Sequence, residues 1–308
     1  PDRARADALS ADAVEEARGT GDPGALAAAL NARRVAIWDI AHTAERLEVA
    51  TAMTAAAHAA DEPAAVLQGR AWRVVDLMEL GRLEEARAEV ARYAEEADAL
   101  GLPHYRWWAA LWRGALALLA GDLAAVGRHG AQALALGRRA DDPNAPMHVA
   151  IQALQADIDA GRVDRFDRAF VERSAASSPA AWAWTAWLAW ADASLGDRAR
   201  AERLVDELAA DDFAAIRLDA NWHAVADLAE ALGVLGEGQA DRAARLHALL
   251  APYAGRIGVV GRGAVVYGPI DTQLGLLALL AGDRTAAEAP LEEAVAICER
   301  IGAGPRAA

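Results

Sequence analysis

Proline and glycine recur in this chain with a shared period of forty residues: Pro23, Pro63, Pro103 and Pro143, then Gly81, Gly121 and Gly161, each glycine eighteen residues after a proline. Proline is favoured in the first turn of a helix and glycine just past its end, so each interval reads as one helix of about five turns. The same period carries a phrase. Arg70-Ala71-Trp72-Arg73 precedes Gly81 as Ala110-Leu111-Trp112-Arg113 precedes Gly121, and Ala32-Arg33 echoes it one period earlier, with Ala41 where the glycine would stand.

A second helix follows each glycine. After Gly81, the residues Leu83, Ala86, Val90, Tyr93, Ala97 and Leu100 recur at three- and four-residue steps among Arg and Glu, which is one buried stripe on a solvated helix. Later the period drifts but the order persists: Pro179 to Gly196, a helix from Asn221 to Gly236, and a last first helix ending at Gly282, with a two-residue insertion in Leu235-Gly236-Glu237-Gly238-Gln239-Ala240. Each unit is a helical hairpin that cannot bury its stripe alone, so neighbours must stack. The expectation is an all-α, right-handed superhelix of about seven hairpins forming one domain over residues 1–308, with residues 7–18 closing a preceding unit. One stretch departs from this order: residues 254–268 hold five glycines and two valine pairs and are expected as an irregular Gly/Val-rich loop, functional or packed back on the array.

Composition narrows the function. Ten Trp stand in a chain with three Phe and four Tyr, so the indoles are the large objects whose placement has to be explained. The formal net charge is −14 and every basic residue is Arg, which argues against this segment gripping a phosphate backbone by itself. The single cysteine, Cys298, excludes an intrachain disulfide framework, and no apolar run is long enough to span a membrane. The chain opens at Pro1 without Met and ends at Pro305-Arg306-Ala307-Ala308 just after a helical pattern; it reads as a piece of something longer.

Turns such as Gly81-Arg82-Leu83-Glu84-Glu85-Ala86, Gly196-Asp197-Arg198-Ala199-Arg200-Ala201 and Gly282-Asp283-Arg284-Thr285-Ala286-Ala287 resemble those of tetratricopeptide repeats, although the period exceeds the usual one and the Leu-Gly pair of the first helix is lacking. More narrowly, the runs from Ala29 to Trp38 and from Trp72 to Leu77, together with Tyr105-Arg106-Trp107 and the run from Leu249 to Arg256, look like the C-terminal sensor region of large bacterial LuxR-type signal-transduction ATPases. These include relatives of the maltose-regulon activator and related nucleotide-cyclase regulators. The resemblance implies a cytoplasmic sensor or partner-binding superhelix and leaves its signal unnamed.

It also implies that the first helix of each hairpin lines a concave groove. Nine residues before the turn glycines stand Trp72, Trp112, Gln152, Trp187, Asp227 and Gln273; thirteen before stand Gln68, Trp108, His148, Ala183 and His223; six before stand Gln155, Trp190 and Glu230. These are the groove candidates. Independently, Trp182, Trp184, Trp187 and Trp190 span more of a helical wheel than one core stripe can hold, so at least one should face the groove or a neighbouring loop. Arg33, Arg73 and Arg113 hold equivalent positions in three successive first helices. Heads about 10 Å apart repel by roughly 1.7 kcal/mol at an effective dielectric of 20. That ladder requires either internal pairing with Asp39, Asp76 and Glu79 or an anionic ligand.

Signals for catalysis are weak. There is no phosphate-binding Gly-x-x-x-x-Gly-Lys-Ser/Thr, no metal-ligand motif, and no expected cofactor; the seven His are scattered. The leading expectation is a non-catalytic module of a transcriptional regulator, binding a small molecule or peptide in its groove. The alternatives are a protein-interaction or homo-oligomerisation scaffold and, remotely, an α/α-barrel hydrolase using Asp227, Glu230 and Asp192.

Overall fold

The computed structural model describes residues 3–303. The chain is 77% helical, with fifteen α-helices among the described residues, and the all-α helical-repeat architecture holds. A leading helix, α1 (Arg3–Thr20), is followed by α2 (Pro23–Ala36) with α3 (Thr43–Ala59), α4 (Pro63–Glu79) with α5 (Leu83–Leu100), and α6 (Pro103–Leu119) with α7 (Leu123–Arg139). Then come α8 (Asn144–Asp159) with α9 (Arg168–Ser177), α10 (Ala181–Ser194) with α11 (Arg198–Phe213), and α12 (Ala224–Leu235) with α13 (Ala240–Leu250). Two short strands, β1 (Ile257–Val259) and β2 (Val266–Pro269), precede α14 (Asp271–Leu280) and α15 (Arg284–Ile301). None of the described helices is long and apolar enough to cross a membrane.

Local chemistry sets these boundaries. Proline opens α2, α4 and α6, where its missing N–H costs nothing. The turn glycines Gly81, Gly121, Gly161, Gly196 and Gly282 take φ between +69° and +87°, a region open to them because they lack a Cβ. An aspartate then caps the next helix: Asp122 accepts from the Ala125 N–H, Asp197 from Arg200 and Asp283 from Ala286. The helix expected from Asn221 starts instead at Ala224, because residues 221–223 form a turn that buries the Trp222 indole.

The array curls back on itself. α11 ends in three successive left-handed residues, Asp211, Asp212 and Phe213, and the connection that follows returns to the start of the chain. There Asp219 pairs with Asp39 in an isolated antiparallel bridge, and the Ile40 N–H donates to the Leu218 carbonyl at 3.1 Å.

Residues 254–268 are not the irregular connection expected from their glycines. They form most of an antiparallel β-hairpin in which Ile257 lies opposite Pro269, Gly258 opposite Gly268 and Val259 opposite Val266. Both faces of the hairpin are buried. Ile257, Val259, Ala264 and Val266 join a core with Met78, Trp112 and Cys298, while Val265 enters the core of the second half with Trp187 and Leu228. The hairpin therefore lies against α4, α6 and α15 and covers part of the face that the first helices turn inward.

Candidate functional site

The hairpin divides the inward face into a filled part and an open part. Over α4 and α6 it is seated on tryptophan. The Trp112 indole N–H donates to the Arg262 carbonyl at 2.7 Å, and Gly263 lies so close that a Cβ there would stand 2.9 Å from two atoms of that ring. The Arg262 guanidinium sits between the Trp72 and Trp108 rings, 4.4 and 4.7 Å from their centroids, and desolvation lowers its pKa to about 10. The Gln68 amide oxygen accepts from Arg262 Nη2 at 3.0 Å and from Trp72 Nε1 at 2.9 Å, in the orientation that satisfies both donors. Gln152 completes the seat by donating to the Leu111 and Ala264 carbonyls at 3.1 and 2.8 Å. Gln68, Trp72, Trp108, Trp112 and Gln152 thus hold the chain's own hairpin, and none of them lines the open cavity.

That cavity, of about 390 Å³, lies where α8, α9, α10 and α12 meet the hairpin. Five of the predicted groove residues converge on it: His148, Ala183, Trp187, His223 and Asp227. Its apolar wall is made by Met147 and Ile151 from α8, Trp184 and Trp187 from α10, and Val260 from the hairpin. The two indoles lie 6.2 Å apart and are propped edge-on by Phe170 and Phe166, at 6.1 and 5.2 Å.

The polar end is held in unusual protonation states. Asp227 is 7% exposed on α12, and burial together with the neighbouring Glu230 pushes its carboxyl well above the usual range, although a hydrogen bond from Tyr267 on β2 opposes the shift. His223, at the start of α12, is 6% exposed; burial depresses its pKa to about 3, and its Nδ1 has no hydrogen-bond partner. His148 is likewise pushed below its ordinary value by burial, and its Nδ1 donates to the Asn144 carbonyl at 2.8 Å. At neutral pH both imidazoles are uncharged, and the cavity presents hydrogen-bonding groups with no cation among its lining residues.

The remaining candidates lie elsewhere. Gln155 donates to Asp159 on its own helix, and Trp190 packs 6.5 Å from Phe166. Gln273 donates to Glu230 at 3.3 Å beside a smaller cavity of about 120 Å³ on the other side of Tyr267. Among the described residues no cluster of three or more His, Cys, Asp or Glu is placed to hold a metal ion. Asp192 is fully buried and paired with Arg168 and Arg200, outside the cavity.

The arginine ladder has partners other than those expected. Arg33 pairs with Asp7 on α1 and Glu45 on α3; Arg73 reaches Thr51 and, at 3.3 Å, Glu89; Arg113 is exposed. Asp76 and Glu79 are taken by Arg34, one residue on from Arg33, and by Arg46 on α3. Arg34 meets Asp76 at 2.6 Å, Arg46 meets it at 3.4 Å, and Arg46 also meets Glu79, all with buried side chains. A step of one residue turns a helical side chain by about 100°, enough to move the guanidinium from the surface into the core. Asp39 is held instead by His42 and Arg3.

Sequence reasoning missed Trp184, Tyr267 and the hairpin residues Val260 and Gly261 as parts of the cavity. Trp184 carried a signal, since the tryptophan wheel required one indole to leave the core stripe. Tyr267 carried none, because nothing local says where a hairpin docks. The chain matches no protein-family model, no curated protein and no solved structure.

Proposed function

We propose that this chain is a non-catalytic, cytoplasmic ligand-sensing module of a larger bacterial regulator, and that it takes a small molecule in the cavity between α8, α10, α12 and the β-hairpin. One observation carries the reading: a cavity of about 390 Å³ walled by Trp184 and Trp187 ends on a buried His223 whose ring nitrogen has no partner. Small-molecule sites typically span roughly 300–1,000 Å³ and combine apolar walls with a few convergent polar groups. A buried polar atom left unpaired costs stability, and a ligand that pairs with it recovers that cost. The resemblance to sensor regions of LuxR-type regulators supports the same reading.

A peptide laid along the inward face is the less favoured occupant, because the hairpin already covers Trp72, Trp108 and Trp112 there. The test is tryptophan emission titrated with the low-molecular-weight fraction of a cell extract. A saturable quench or blue shift that disappears in Trp184→Ala supports the sensor. Saturable binding of a protein partner alone, with no response to small molecules, refutes it and favours the scaffold.

A further inference from the structure

The polar atoms that face the cavity are unequal in kind. His148 spends its Nδ1 proton on the Asn144 carbonyl, so in the neutral ring Nε2 is a bare acceptor. Ser174 and Ser177 spend their hydroxyl protons on the Phe170 and Arg173 carbonyls, at 2.9 and 3.1 Å, which leaves oxygen lone pairs. Asp227 adds a carboxyl group whose own donor is Tyr267. The Asn221 amide, the single N–H of the neutral His223 ring and Ser178, which accepts from the Ala180 N–H, retain protons to give. The cavity is thus rich in acceptors, walled by indole faces, and lined by neither arginine nor, in a chain without lysine, any other fixed cation.

Resting on the cavity's assignment as the ligand site, we propose that its ligand is an organic cation, an amine or amidine on a flat apolar body, seated on Trp184 and Trp187 with Asp227 as its counter-ion. An ammonium gives hydrogen bonds and takes none, which complements a site where lone pairs outnumber donors. Its charge is attracted to the faces of the indoles and, once desolvated, forms a charge-assisted hydrogen bond with a carboxylate. The chain's formal charge of −14 draws cations toward it and repels anions.

In the empty site burial and Glu230 disfavour the charged carboxylate and so favour the protonated acid. The arriving cation supplies the missing partner, and the carboxyl proton leaves to solvent. The other ionisable groups around Asp227 do not substitute for the ligand. His223 on α12 and His148 on α8 are neutral, Tyr267 on β2 donates to the acid, and Asp271 on α14 accepts from the Gly255 N–H at 2.7 Å. Arg262 points away, into the Trp72 and Trp108 rings, and α10 contributes Ala183 and two indoles to the cavity wall, none of them ionisable.

Three probes of one shape separate the possibilities by isothermal titration of the full chain: tryptamine as the cation, tryptophol as the neutral isostere, and indole-3-propionate as the anion. The expected result is that tryptamine binds at least tenfold tighter than tryptophol. Its affinity should rise with pH as the bound complex sheds the Asp227 proton. In Asp227→Asn, which keeps shape and removes charge, the advantage over tryptophol should vanish while the circular dichroism spectrum stays unchanged. Tryptophol or indole-3-propionate binding as tightly as tryptamine overturns the cation and leaves the cavity standing as a ligand site. Failure of all three to bind at millimolar concentration overturns both.

Discussion

Replacing Gly263 by alanine tests whether the hairpin is a structural seat on the tryptophans of α4 and α6. Two costs arise at this position. At φ +90° an L-residue is strained, and a residue forced into left-handed space loses about 1–2 kcal/mol. The new methyl would also meet Trp112 Cδ1 and Nε1 at 2.9 Å, inside the distance that real Cβ atoms adopt. Trp112 is fully buried and cannot swing away without losing its 2.7 Å bond to the Arg262 carbonyl and its edge contact with Tyr93 at 4.8 Å. Overpacking of this kind costs about 1–3 kcal/mol. Gly255 is the control: it sits at φ +80° in the same connection, and nothing lies within 4 Å of a Cβ there. Urea unfolding followed by circular dichroism should place Gly263→Ala about 1–3 kcal/mol below Gly255→Ala, the difference being the contact with Trp112. Equal losses in the two variants would refute the seating of the hairpin.

Three further outcomes follow from the same structure. Arg34→Ala removes the nearer partner of the buried Asp76, leaving it Arg46 at 3.4 Å, and should cost about 3 kcal/mol in urea unfolding, whereas Arg33→Ala, whose partners Asp7 and Glu45 are half-exposed, should cost about 1 kcal/mol or less; equal losses would contradict the assignment of the core pairs. Asp227 has a raised folded-state pKa, so its contribution is fully present below the unfolded value near 4 and is lost as pH rises through the folded value; Asp227→Asn should therefore stabilise the empty protein increasingly from pH 4 upward, and a flat difference would refute its burial as an acid. His223 has the opposite sign: with a folded pKa of about 3 it stays neutral while the unfolded chain takes up a proton below about 6.5, so the wild type should lose stability relative to His223→Gln as pH falls from 6.5 toward 3, read by the same unfolding assay.

The alternation of helices was legible in the sequence because it is written in local chemistry. Pro63 and Gly81 mark the two ends of α4, and the aspartates that follow Gly121, Gly196 and Gly282 cap the next helices, with no distant residue required. The site was legible only in part. A fixed count back from each turn glycine found His148, Ala183, Trp187, His223 and Asp227, since those side chains share an inward register.

It did not separate them from Trp72 and Trp112, because the distinction depends on a hairpin that docks from far along the chain, with Arg262 lying 150 residues from Trp112. Nor did periodicity mark Tyr267 on β2 or Val260 just past β1, because both strands are too short and too apolar to show the polar alternation that identifies a half-exposed strand. The ion pairs fell between these cases. Asp76 and Glu79 do pair with arginine, but with Arg34 and Arg46, and one residue of register decides which guanidinium is buried.

Hydrogen–deuterium exchange of the full chain, with and without the tightest-binding of the three indole probes, tests the central claim most directly, because it reports where a ligand sits. Slowed exchange is expected in the segments around Met147–Ile151, Ser177–Trp187, Asn221–Asp227 and Val260–Tyr267, with little change in the first helices that carry Trp72 and Trp108. Protection concentrated on α4 and α6, with the cavity segments exchanging as before, would contradict it.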